Sequence, residues 1–318
     1  MSTVAIVVTF NSVRYISQCL ESLVGSLPSL HIVVVDNASH DGTVDVVRQR
    51  FPQVTCIETG SNLGYAGGNN VGLRYALTND YEFALIANPD CTFSEGCVAT
   101  LVATLQDRPE VAAVCPLIFR GDGRTLWYSG AETDLRKGST PHRTELPSAS
   151  RDSNIIMTGR AYGCAMLVRL SALKRIGLFD ERYFLYYEDA EWSARCATKG
   201  LYVAVALGAI ARHDMGHGTA DMSPTYHYYM TRNRLMLVGQ CSGRVWAALP
   251  SCFRTSVQNL ASTKRRSFRQ AMILLGPIMK GYIDFARGRT GCQPVTFGWW
   301  PLRDQAVLKP GTDSSTVQ

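Results

Sequence analysis

The sequence has no CxxC pair, although ten cysteines are scattered from Cys19 to Cys292. A structural zinc site built from thiolates is therefore not expected, and the thiols read as buried or incidental groups of a reducing compartment. No uninterrupted apolar run reaches the ~18–20 residues that a bilayer span requires. The stretch from Met1 to Thr9 has neither a basic leader region nor a cleavage pattern, so a cytoplasmic location without export is expected. Neither a GxGxxG fingerprint nor a GxxxxGK[ST] loop is present, which argues against a dinucleotide fold and a P-loop. Charged residues make up only 18%, too few for a globally disordered chain. There is no internal repeat, and the only low-complexity stretch is the polar tail from Gly311.

With 318 residues and 46% hydrophobic content, the chain can bury the core of a full α/β domain and carry an extension. Its charge is uneven. Residues 241–318 carry 11 Lys+Arg against 3 Asp+Glu, a net of +8, which leaves −2 for the first 240 residues of a chain whose total is +6. The basic tail calls for an anionic surface, membrane lipid or nucleic acid on charge alone.

Val4 to Thr9 is a short β-branched run suited to a strand buried on both faces. Helical spacing follows over Ser12 to Val24 (Ile16, Leu20, Leu23), and a second strand, Ile32 to Asp36, ends on an acid. Gly42 to Arg50 predicts a helix, Val54 to Glu58 a strand, Asn69 to Leu77 a helix and Phe83 to Ala87 a strand that runs into Asn88-Pro89-Asp90. This alternation predicts a doubly wound, mostly parallel sheet with helices on both faces. Ligands of such sheets sit beyond the carboxyl ends of the strands, where Asp36 and Asp90 fall. Gly121 to Ser153 reads as a loop or small excursion, and order returns from Met157 to about Gly239. A catalytic domain over residues 1–240 and a basic, partly amphipathic helical extension over residues 241–318 are expected, the latter from Val245 to Leu249 and Met272 to Met279.

Six clusters carry chemistry. Asp36-Asn37-Ala-Ser39 ends the second strand, where a carboxylate can accept the ring N3–H of uracil or thymine, although Asp, Asn and Ser also favour plain helix-capping turns. Asn62-Leu-Gly64-Tyr-Ala-Gly67-Gly68-Asn69-Asn70 allows close backbone approach to a ligand near a helix start, or is simply a glycine-rich turn. Asn88 and Asp90, two apart in an extended segment, can point the same way toward one hard cation, Mg²⁺ or Mn²⁺. Glu188-Asp189-Ala-Glu191 follows an aromatic run, and crowded carboxylates near aromatic surface suit general-base work; an acidic helix start gives the same pattern. His213 and His217 lie on a Gly-rich loop from which either could complete a metal site, and Arg232-Asn233-Arg234 could hold a diphosphate or form a basic helix face.

Taken in order, IVVTFN (Ile6–Asn11), VVDNAS (Val34–Ser39), SNLGYAGGNN (Ser61–Asn70), ANPD (Ala87–Asp90), GCAMLVR (Gly163–Arg169), GLFDERYFLYYEDAEW (Gly177–Trp192), the His213 loop and Arg232-Asn233 resemble glycosyltransferase family 2 proteins of GT-A fold, in particular their rhamnosyltransferase-like branch. The resemblance runs from Val4 to about Leu237. It implies an inverting, metal-dependent transferase of a sugar from a dTDP- or UDP-sugar donor. Asp36 would bind the pyrimidine, Thr9 and Asn11 would line the nucleotide, and Asn62, Gly64, Gly68 and Asn69 would shape the donor pocket. Asp90, beside Asn88, would hold Mg²⁺ or Mn²⁺ with His213 or His217 as an added ligand. Asp189 would deprotonate the acceptor with Glu188 beside it, and Arg232 would face the diphosphate. This chain departs from the family pattern at Asn88 and Glu191, where aspartate is usual. A glycan or lipid-linked acceptor is expected, with an anionic membrane surface rather than nucleic acid as the partner of the tail and oligomerisation left open. The location is then cytoplasmic, possibly peripheral on the membrane. A soluble natural-product acceptor and a catalytically inactive nucleotide-sugar-binding partner are the alternatives. A sugar-phosphate nucleotidyltransferase would want a Gly- and Arg-rich loop after the first strand, where Phe10-Asn-Ser-Val-Arg-Tyr15 stands instead.

Overall fold

The computed structural model describes residues 2–27, 29–146, 154–214, 223–261 and 268–295. His217, Lys264-Arg265-Arg266 and the polar tail lie outside the described residues. Ten strands form one sheet. Its first half comprises β1 (Thr3–Thr9), β2 (Leu30–Asp36), β3 (Thr55–Glu58) and β4 (Phe83–Ala87). The second half comprises β5 (Cys91–Phe93), β6 (Val111–Arg120), β7 (Leu126–Tyr128), β8 (Ile155–Thr158), β9 (Ala165–Arg169) and β10 (Tyr202–His213). The order is β3-β2-β1-β4-β9-β6-β10-β5, with β7 against β6 and β8 against β10. Pairings among β3, β2, β1 and β4 and between β6 and β10 are parallel, while β9 runs antiparallel between β4 and β6.

Every residue of β1 is buried, including both faces of its alternation, so helices must cover the sheet on both sides. The covering helices are α1 (Ile16–Leu23), α2 (Thr43–Arg50), α3 (Gly64–Thr78), α4 (Cys97–Asp107), α5 (Leu170–Ile176) and α6 (Glu188–Thr198). The register sets the site. Thr9 pairs with Asp36 and Val7 with Ala87, so β2, β1 and β4 end side by side. With ~4.8 Å between neighbouring strands, Asp36 and Asn88 stand about 10 Å apart across β1.

Helix α3 begins at Gly64, five residues earlier than the expected start at Asn69. Its glycines serve packing inside the helix. A Cβ at Gly68 would lie 2.6 Å from Val8 Cγ1 and 2.9 Å from Asn37 Nδ2, and one at Gly72 would run into the Ile6 side chain. Each missing side chain lets α3 settle on β1.

The C-terminal part is α7 (Pro224–Ser242), α8 (Val245–Ala261) and α9 (Phe268–Ala286). The expected boundary at residue 240 falls within α7. Gly281 brings α9 against Thr231 and Tyr228 of α7, and the buried Asp284 accepts a 2.9 Å hydrogen bond from the Tyr228 hydroxyl. The extension is thus packed on the catalytic unit through α7.

Candidate active site

The loops after β1 and β2 are stitched together around Asp36. Its Oδ1 accepts from the Thr9 hydroxyl at 2.7 Å and the Ser39 hydroxyl at 2.6 Å, and Oδ2 accepts from the Ser39 amide at 2.8 Å. Asn11, in the left-handed region at φ 51°, donates its amide to Ser39 Oγ and accepts from the His40 amide. Thr9, Asn11 and Asp36 therefore converge on one cradle, in which Oδ2 of Asp36 has accepted a single bond. Asn62 caps the Gly64 amide at 2.9 Å, and Asn37 donates to the Gly64 carbonyl at 2.9 Å. Asn69 lies inside α3, donating to the Tyr65 carbonyl, and its buried Oδ1 has no partner.

At the end of β4, Asn88 Oδ1 and Asp90 Oδ1 are buried acceptors without a hydrogen-bond donor. His213, the last residue of β10, places Nε2 3.1 Å from Asp90 Oδ1, at ion-pair distance but without hydrogen-bond alignment. Burial disfavours the charged imidazole and also keeps the neighbouring Cys91 thiol neutral, so it is the Asp90 carboxylate that pushes the His213 pKa up. Asn88 Oδ1, buried without a donor, calls for an electrophile, and with Asp90 and the imidazole in its neutral form it makes two oxygens and a nitrogen that fit a hard divalent ion. Beside them, ligand atoms of Cys91, Cys164 and His213 lie within 4.8 Å of one another. The scattered numbering had hidden this grouping of thiols and imidazole.

The two acids at the start of α6 have opposite surroundings. Asp189 Oδ1 accepts from Arg160 Nε at 3.0 Å and Nη2 at 2.7 Å, and Oδ2 accepts from the same Nη2 at 2.9 Å and the Gly163 amide at 3.0 Å. A carboxylate offers about four in-plane lone-pair positions, and these bonds fill them. Asp189, expected to take the acceptor proton, is thus held as the ion-pair partner of a buried guanidinium. Glu188 is buried too, and its Oε2 has no partner. Burial and then the adjacent Asp189 charge raise its pKa. Glu191 is occupied elsewhere, paired with Arg195 Nε at 2.7 Å. The Gly163-Cys164 backbone ties the parts together: Gly163 N–H donates to Asp189, and the Cys164 carbonyl accepts from the Asn88 amide at 2.8 Å.

Arg232, expected to face the diphosphate, has its guanidinium taken up by the protein itself. It is fully buried on α7 and donates to the carbonyls of Gly291, Arg182 and Tyr183 and to Asn233 Oδ1. Asn233 donates in turn to the carbonyls of Tyr183, Leu185 and Tyr186. Phe184, Tyr186 and Tyr187 all have φ between 61° and 71°, a conformation that bulky side chains avoid and that persists only where neighbours enforce it. Arg232 and Asn233 are those neighbours, and the loop they hold delivers Glu188.

Residues that sequence reasoning passed over complete the site. Arg160 lies with its guanidinium carbon 5.2 Å from the Tyr162 ring centre. The half-buried rings of Trp127, His142 and Tyr162 pack edge to face at 4.6–4.9 Å, and Trp127 lies 5.4 Å from His213. His142 is kept neutral, its pKa lowered to about 4 by burial and then by the Arg160 charge. Two of these rings come from the 121–153 excursion, whose irregular pattern had no functional signal.

Residues 4–177, more than half of the chain, match Glycosyl transferase family 2. The N-acetylglucosaminyl-diphospho-decaprenol L-rhamnosyltransferase of Mycobacterium tuberculosis is 27% identical over 234 residues, covering 67% of this chain and 76% of that protein. The dTDP-rhamnosyl transferase RfbF of Shigella flexneri is 25% identical over 247 residues, covering 74% and 79%. Among solved structures, a mannosyltransferase from Pyrobaculum calidifontis, in complex with GDP-Man and Mn²⁺, superposes with a TM-score of 0.57 at 17% identity, over 90% of this chain and 87% of that one. Residues 1–349 of TarS from S. aureus give 0.55 at 19% identity, over 88% and 81%. By sequence this chain belongs to glycosyltransferase family 2, and its fold has the GT-A architecture.

Proposed function

We propose that the protein is an inverting, metal-dependent glycosyltransferase that moves rhamnose or a related hexose from a dTDP- or UDP-sugar onto a hydroxyl of a glycan or lipid-linked acceptor in cell-wall or polysaccharide synthesis. The observation that carries this reading is the set of acceptors gathered at the strand ends: Asn88 Oδ1, Asp90 Oδ1 and Glu188 Oε2 without a hydrogen-bond donor, and Asp36 Oδ2 with one bond accepted and a lone pair open. Each suits a different part of the donor or acceptor. The open position on Asp36 Oδ2 accepts a pyrimidine N3–H, and the Thr9–Asn11 loop borders the ribose. Asn88, Asp90 and His213 would hold Mg²⁺ or Mn²⁺, which when bound neutralises charge on the diphosphate leaving group. The names of the mycobacterial and Shigella relatives both specify rhamnosyl transfer, and the first also specifies a diphospho-decaprenol acceptor.

The chain's own residues then do three things. The Arg160–Asp189 pair fixes the start of α6. Glu188 Oε2 takes the proton of the acceptor hydroxyl as its oxygen attacks the anomeric carbon from the face opposite the leaving group, which inverts that carbon. The rings of Trp127, His142 and Tyr162, between His213 and Arg160, supply apolar surface for the acceptor sugar. The test is incubation of purified protein with dTDP- and UDP-sugars, a divalent metal and a membrane extract, with products identified by mass spectrometry. A glycosylated product of inverted anomeric configuration is expected. Failure of every donor to yield one overturns the reading.

A further inference from the structure

We infer that the outward faces of α8 and α9 form a docking surface for a lipid bilayer with anionic headgroups. Helices packed on a domain normally turn apolar side chains inward. Here each helix carries two apolar stripes. On α8, Ala248 and Cys252 face the protein, while Trp246, Phe253 and Val257 recur at helical spacing on the outside, with Trp246 85% and Phe253 59% exposed. On α9, Leu274 and Ile278 are buried, whereas Leu275, Met279 and Ile283 form an exposed row at intervals of four. Solvent-facing tryptophan and phenylalanine aligned on one helix face are what an interfacial helix presents to the acyl boundary.

Charge selects the occupant. Arg244, Arg254 and Arg287 are exposed beside these rows, and the single acid within α8 and α9, Asp284, is buried and already paired with Lys280 and Arg289. Residues 241–318 carry a net charge of +8. A second copy on this face would bring the same positive charge against it, whereas an anionic bilayer complements both the apolar rows and the arginines. Among the described residues no helix is long and apolar enough to cross a membrane, and α8 and α9 each carry an internal proline, Pro250 and Pro277. The helices therefore lie in the plane of the interface. This surface stands apart from the catalytic reading, and it would present the site to an acceptor embedded in the same bilayer.

The full chain is floated with vesicles of phosphatidylcholine alone or mixed with phosphatidylglycerol, at low and high salt. Binding to the mixed vesicles that weakens with salt is expected. Trp246→Glu with Phe253→Glu, and separately Met279→Glu with Ile283→Glu, should each lower partitioning by about tenfold or more. These side chains are exposed, so melting temperature and UDP or dTDP binding by calorimetry should stay at the wild-type level, which separates loss of docking from loss of the donor site. Two outcomes overturn the proposal: wild-type protein that does not float with anionic vesicles at low salt, or substituted proteins that float as well as wild type. A concentration-dependent dimer that the same substitutions split, without vesicle binding, assigns the face to a second copy and overturns it too.

Discussion

Glu188 and Asp189 are adjacent acids with opposite expected responses to neutralisation. In Asp189→Asn the carboxylate that balances Arg160 is lost. The pair's side chains are only 11% and 4% exposed, so the guanidinium is left buried without its counter-charge. Breaking a buried pair on one side costs about 3–5 kcal/mol. At ~2–4 °C per kcal/mol for a domain of this size, melting should fall by roughly 6–20 °C. Glu188→Gln acts in the other direction. Because burial and Asp189 raise its pKa, the folded state holds this proton to a higher pH than the unfolded chain does. Stability from this group is present below the ordinary glutamate range and is lost as pH rises through the folded pKa. Gln, neutral throughout, removes that loss, so Glu188→Gln should melt higher than wild type above neutral pH and equal it under acid conditions. Its turnover should nevertheless fall by about 10²–10⁴-fold, the usual worth of general-base help, with nucleotide affinity intact. The assay pairs melting curves across pH with single-turnover transfer for both variants. Near-normal transfer by Glu188→Gln would move the proton to Asp189 and refute the lone-pair argument.

Other substitutions read different parts of the site. Asp36→Ala should abolish UDP and dTDP binding by calorimetry while leaving metal binding; equal wild-type affinity for ADP or GDP would count against the pyrimidine assignment. Asp90→Ala should remove paramagnetic Mn²⁺ binding and transfer together, and full activity in excess EDTA would end the metal reading. Arg232→Met should lower both melting temperature and turnover with donor affinity unchanged, since its hydrogen bonds go to the loop before Glu188; a selective loss of diphosphate affinity would restore the ligand reading. Gly72→Ala should destabilise by about 1–3 kcal/mol through overpacking against Ile6, seen as a lower melting temperature with unchanged pH dependence.

What could be read from the sequence depended on how local the cause was. The ends of β2 and β4 were legible because β-branched runs stop at Asp36 and at Asn88-Pro-Asp90, and a parallel sheet brings such ends together whatever lies between. The glycines of α3 were misplaced because a glycine-rich run has the same signature as a ligand loop and as a helix pressed onto a strand, and only Ile6 and Val8 beneath it decide. Arg232 was expected at the diphosphate, and its backbone partners could not be read from the sequence for a related reason. A guanidinium suits phosphate and backbone carbonyls equally, and its carbonyl partners lie 49–59 residues away in the chain. Arg160 had no motif around it, because its partner Asp189 is 29 residues distant.

These long-range contacts bear on how the acidic pair works. Three non-glycine residues in left-handed backbone immediately before Glu188 cost about 1–3 kcal/mol each. The loop does not hold that shape by its own propensity, and the restraint comes from Arg232 and Asn233 above and from the Tyr65 and Ala66 amides that both donate to the Phe184 carbonyl. Those two amides belong to the first turn of α3, whose Gly64 meets Phe184 so closely that a Cβ there would lie 2.5 Å from that carbonyl oxygen. Gly64 therefore acts through backbone shape: it lets the first turn of α3 touch the loop that leads into Glu188, so that on the proposed reading the donor and acceptor sides of the site are set by one contact.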